Sequence, residues 1–101
     1  MPTFVLMTRL RPESVHDAHG RRETGKGWLK KVQSVCPQVK FVAHYALLGP
    51  YDFMDVYEAP DDAAAMRVSL LSRELGAAMA ESWPAMAYEQ FLPLAEQVEK
   101  A

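Results

Sequence analysis

The chain is expected to fold as an α+β domain with the order strand, helix, strand, strand, helix, strand, the split βαβ arrangement of ferredoxin-like folds. Three observations predict it. Apolar residues switch between strand-like runs and helical spacing along the chain; prolines at 12, 37 and 60 fall between those runs; and Gly49-Pro50-Tyr51-Asp52 joins two β-rich segments as a tight turn. At 101 residues the chain is long enough for one core and too short for two, so residues 1–101 are read as a single domain.

Thr3 to Leu10 (TFVLMTRL) is rich in β-formers and stops at Arg11-Pro12, where proline cannot continue a ladder but suits a first helical turn. From Glu13 to Gly27 the glycines at 20, 25 and 27 weaken or interrupt helix. Trp28, Leu29, Val32, Val35 and Cys36 then fall on one helical face, and Pro37 ends it. Val39 to Leu48 and Phe53 to Ala59 read as a hairpin. Pro60, Asp61 and Asp62 open a second helix, with acids at its positive end. Its buried stripe is Ala64, Val68, Leu71 and Leu75, and Gly76 is its stop. Ala77 to Met86 is read as a fourth strand with Pro84 at an edge or bulge. A terminal helix over Tyr88 to Lys100 should turn Phe91, Leu92, Ala95 and Val98 inward.

The first three strands are apolar on both sides, whereas an antiparallel sheet with one wet face alternates. Two helices cover one face, so the other needs a second cover. A second copy of the same sheet is the simplest one, and a homodimer is expected.

Net charge −2 argues against nucleic acid as a partner, since such binders carry a cationic excess. Seven of the eleven Lys and Arg residues lie between Arg9 and Lys31, and ten of the thirteen acids lie at or beyond Asp52. The segment with His16, His19, Arg21, Arg22, Lys26, Lys30 and Lys31 is a candidate for an anion or an axial haem histidine. With Asp17 and Glu23 interspersed, it reads first as a solvated helix face. His16 and His19 have no third ligand at a characteristic interval, so no metal site is assigned. Cys36 is the only cysteine, is read as core, and marks no oxidising compartment. No apolar run approaches the roughly 18 residues of a membrane span. A cytoplasmic, non-membrane protein without a cofactor is expected.

Leu48-Gly49-Pro50-Tyr51-Asp52-Phe53, followed by Tyr57-Glu58-Ala59-Pro60-Asp61-Asp62-Ala63-Ala64, resembles the signature of the GYD domain family. Thr3-Phe4-Val5, Arg11-Pro12-Glu13 and Glu89-Gln90-Phe91 extend the likeness over nearly the whole chain. The proline between Gly49 and Tyr51, the acid at Asp55 and the break at Pro84 depart from that pattern. The resemblance implies a dimeric α+β barrel, a superfamily with cofactor-free monooxygenases, haem-handling proteins, isomerases and ligand-sensing modules. It carries no established general activity for the family itself, so function has to be argued from the site.

With Pro50 and Tyr51 as a two-residue loop, residues 48 and 53, 46 and 55, and 44 and 57 pair, placing Val42, His44, Phe53, Asp55 and Tyr57 on one face. His44, Asp55 and Tyr57 then form a candidate proton-transfer set of base, orienting carboxylate and phenol. The structural alternative is a buried polar cluster that satisfies itself. The main pocket is expected between the facing sheets, lined by Val42, His44, Phe53, Asp55 and Tyr57 with Tyr51 and Trp83 at its rim, and the helices on the opposite face. Gly49 is expected to hold a positive φ. The favoured function is a binding or sensing homodimer enclosing a small, partly apolar molecule. The alternative is a cofactor-independent, monooxygenase-like or isomerase-like enzyme using His44 as base, Asp55 to orient it and Tyr57 to position substrate.

Overall fold

The computed structural model describes residues 1–14 and 18–101. Its elements are β1 (Thr3–Leu10), a 3-10 turn (Pro12–Ser14), α1 (Ala18–Val35), β2 (Lys40–Ala46), β3 (Phe53–Glu58), α2 (Asp62–Glu74), β4 (Ala77–Ala85) and α3 (Tyr88–Glu99). The four strands form one antiparallel sheet in the order β2-β3-β1-β4. This is the α+β architecture expected from the element order. Pro84 is accommodated because β4 is an edge strand, where a missing N–H interrupts no second ladder.

One face of the sheet is packed and the other is open. Phe4, Leu6 and Tyr57 join Val32 of α1 and Val68 and Leu71 of α2 in the buried core. Leu6, Tyr57, Val32 and Val68 are completely buried. Side chains alternate along a strand, so Val5, Met7, Met54 and Val56 point to the other side.

α2 begins and ends as its sequence suggests. Asp61 Oδ1 accepts a hydrogen bond from Ala64 N at 2.9 Å, satisfying a donor that the first turn leaves free. Gly76, at φ 111°, takes the left-handed position after the helix that a residue with Cβ enters at a cost.

α1 differs from expectation, since it runs unbroken from Ala18 through the glycines to Val35. Tertiary contacts offset the poor local propensity. Trp28 Nε1 donates to Ser72 Oγ of α2 at 2.9 Å, and the Trp28 and Phe41 rings lie 5.0 Å apart. A Cβ at exposed Gly27 would meet nothing within 4 Å. Gly27→Ala should therefore stabilise the protein by about 0.5–1 kcal/mol through helix propensity alone. Urea unfolding checks this, and a destabilised variant would mean that the glycine is needed.

Three further expectations are corrected. Gly49 has no positive φ and open space where a Cβ would stand, so its replacement carries no conformational strain. The hairpin is not a two-residue loop: Ala46 pairs with Phe53 and His44 with Asp55. The inward packing of Phe91, Leu92 and Val98 is absent, for no residue of α3 is buried. Tyr88, Phe91, Leu92, Leu94 and Val98 of this helix are instead exposed.

Candidate functional site

The Gly-Pro-Tyr-Asp turn works as a fastener. β1 and β4 slip register between Arg9 and Leu10, and Asp52 Oδ2 accepts the Leu10 N–H at 2.7 Å. Asp52 N also donates to Thr8 O at 2.8 Å, and Asp52 O accepts from Leu47 N at 2.9 Å. One motif residue thus ties the hairpin loop to the end of β1.

Tyr51 leaves this turn on the open side. Its hydroxyl donates to Glu81 Oε1 at 3.1 Å, its ring meets Trp83 edge-on at 6.0 Å, and Arg9 lies over it at 5.7 Å. The hydrogen bond to Glu81 is the main reason that the Tyr51 phenol titrates above its ordinary value, with desolvation adding to it.

A pocket of about 590 Å³ opens between α1 and the inner face of the sheet, with Thr8, Leu10, Arg21, Trp28, Phe41, His44, Phe53 and Asp55 in its wall. That volume is within the range of small-molecule sites. His44 Nδ1 and Asp55 Oδ1 lie 2.5 Å apart, a charge-assisted hydrogen bond. The His44 side chain is 61% exposed and that of Asp55 only 5%, so the carboxylate is the buried anchor and the imidazole the accessible group. The imidazole also stacks on Phe53 at 5.4 Å between ring centres. Arg21 also stands over this ring, its Cζ 5.1 Å from the Phe53 ring centre.

Burial raises the pKa of Asp55, and the charge and hydrogen bond of His44 offset only part of that. The folded protein thus holds this proton to higher pH than the unfolded chain. Stability from this group is full below the ordinary carboxylate range and declines as pH rises through the raised folded value. Asp55→Asn should remove that decline, so the variant's stability relative to the parent increases as pH rises from about 4 upward. Denaturant titrations at several pH values check it, and a difference that is flat with pH would contradict the account.

The residues expected at the site are thus divided. His44, Phe53 and Asp55 share the pocket wall. Tyr57 is on the same face but is core: its hydroxyl donates to Ser82 Oγ at 2.6 Å, and burial raises its pKa against the lowering effect of that bond. Val42 is skipped by a register shift between Phe41 and Ala43, which brings Phe41 into the wall instead. Tyr51 and Trp83 are together on the far side of the sheet. The expected facing is also corrected. His44 and Asp55 look toward α1, under the helices, and not toward the open face.

Sequence reasoning missed Phe41 as a pocket residue, read Trp28 as core or cavity wall, and treated Arg21 first as part of a solvated face. The spacing of Arg21, Gly25, Trp28 and Leu29, all in the wall, is the helical signal that joins them. His16 and Asp17 lie outside the described residues, and His19 is exposed on α1. Among the described residues, no three His, Cys, Asp or Glu side chains are grouped as a metal ion requires. No helix among them is long and apolar enough to cross a membrane.

The model of the GYD domain matches residues 4–95. The chain belongs to the GYD domain family. This GYD domain is 34% identical over 80 residues to the glutamine synthetase and cystathionine beta-lyase binding protein of Thermus thermophilus, across 69% of this chain and 73% of that protein. It is also similar to the crystal structure of FFRP-DM1, with TM-score 0.52 and 19% identity over 85% of this chain and all of that one. At that identity the second likeness concerns the fold, and it agrees with the ferredoxin-like topology of the sheet.

Proposed function

We propose that this GYD domain is a homodimeric binding protein. Two protomers join through the open sheet face and α3, and the pocket under α1 takes a small, partly apolar molecule without converting it. Surface area is the observation that carries the assembly. The protomer exposes 6942 Å², whereas a compact monomer of 11.4 kDa exposes about 5,800 Å². Its radius of gyration is 15.5 Å, against about 12.7 Å for a compact chain of this length. The difference in area exceeds the roughly 800 Å² that one partner contributes to a standard interface. Much of it is apolar: Tyr45, Trp83, Tyr88, Phe91, Leu92, Leu94 and Val98 are all exposed, more than monomers ordinarily leave in water. Sedimentation equilibrium should give twice the chain mass at micromolar concentration, and a stable monomer would overturn the assembly.

A binding role is supported by the Thermus relative, whose name assigns it to enzyme partners; for this chain too we infer protein partners. The buried free thiol of Cys36 accords with a reducing, cytoplasmic setting.

The His44–Asp55 pair favours a second reading, a cofactor-independent enzyme in which His44 moves a proton and Asp55 orients it. Tyr57 has no part in that reading, because its hydroxyl is engaged with Ser82. Incubation with a bound molecule separates the two: recovery unchanged supports binding, and conversion that is lost in His44→Ala supports catalysis.

A further inference from the structure

We propose that the ligand of the α1 pocket is a small anion with a flat apolar body, an aryl carboxylate in type, whose negative group meets the guanidinium of Arg21. This inference rests on the reading of that pocket as a small-molecule site.

Arg21 Nη1 is shielded from solvent and has no hydrogen-bond acceptor among the described residues. A buried guanidinium N–H without an acceptor is costly, and native structures seldom leave one so. Contact with the Phe53 ring holds the guanidinium at the pocket wall, and its planar fork of donors matches the two oxygens of a carboxylate.

The acid in the wall does not fill that role. Asp55 is engaged with His44, and the remaining formal charge in the lining, Arg22, has the same sign as Arg21. The pocket therefore attracts anions and disfavours ammonium groups. Trp28, Phe41 and Phe53 provide flat apolar surface, with the first two rings tilted at 56° to each other. A planar hydrocarbon body suits such walls better than a sugar or a polyol does.

Phenylacetate, its neutral amide phenylacetamide and the cation 2-phenylethylamine are suitable probes, since they share one body and differ in the charge of the head. Proton–nitrogen NMR of isotopically labelled protein reads binding at the Trp28 indole N–H, which faces Ser72. The Trp83 indole N–H, bonded to Glu81, reports on the opposite side of the sheet. Phenylacetate should shift the Trp28 signal saturably, leave Trp83 unmoved, and bind at least about ten-fold more tightly than the amide, with the amine weakest. Arg21→Gln should bring acid and amide to equal affinity.

Equal binding of acid and amide by the parent protein would overturn the anion assignment while leaving the pocket reading intact. A preference that survives Arg21→Gln would overturn the role of Arg21. Silence of the Trp28 signal with all three probes would overturn the pocket reading and this inference together. If Arg21→Gln does not fold, the acid-to-amide ratio of the parent still decides the anion assignment.

Discussion

Tyr57→Ala is expected to cost about 3–5 kcal/mol of stability, enough to leave much of the protein unfolded under mild denaturant. The ring is wholly buried, with Phe4 and Phe41 each 5.6 Å away between ring centres, so truncation opens a cavity that two strands and a helix must fill. Tyr57→Phe keeps the ring and removes one hydrogen bond. It should cost about 1–2 kcal/mol, because Ser82 Oγ retains Ser69 Oγ at 2.8 Å and Ala65 O at 3.4 Å. Urea midpoints at one fixed protein concentration measure both, since association shifts apparent stability. A Phe variant that keeps its stability but loses binding or turnover would return Tyr57 to the functional site. An Ala variant within about 1 kcal/mol of the parent, far below the expected range, would mean that the core is not organised around this ring.

The sequence carried the element order because prolines and turn residues mark boundaries that few alternatives satisfy. Asp61 and Gly76 are legible for the same reason: each solves a local backbone problem at a helix end. The path of α1 was not legible, since three glycines lower local propensity while Trp28 and Ser72, far apart in sequence, supply the compensation. The pairing of His44 with Asp55 came within reach because alternation preserves facing over an even shift. The bulge beside Val42 leaves no mark in the pattern, and it exchanged Val42 for Phe41 in the wall. The side of the sheet that α1 and α2 cover was illegible for a physical reason. Strands with apolar residues on both faces have no parity signal, so the same feature that points to a second cover hides which face the first one occupies.

Val56→Glu should convert the proposed dimer to monomers. Val56 pairs with Val5 in the centre of the sheet and points to the open side, where Trp83 and Tyr45 are also exposed. In the separated protomer it is only partly buried, so a glutamate there can turn its carboxylate to water and the fold should survive. In a two-fold dimer the same substitution occurs twice, and each carboxylate is desolvated at the centre of the sheet, beside Val5 and Trp83. That penalty is several kcal/mol, equivalent to a rise in dissociation constant on the order of a thousand-fold. Removing residues 88–101 provides an independent variant, since no residue of α3 is buried in its own protomer and its loss takes away interface without touching the core. Sedimentation equilibrium should show both variants at monomer mass at concentrations where the parent is dimeric, with circular dichroism reporting a retained fold. If Val56→Glu associates as tightly as the parent, the open face is not the contact. If the truncated chain does so, α3 is not part of it, and the apolar stripe of that helix must be covered by a different protein.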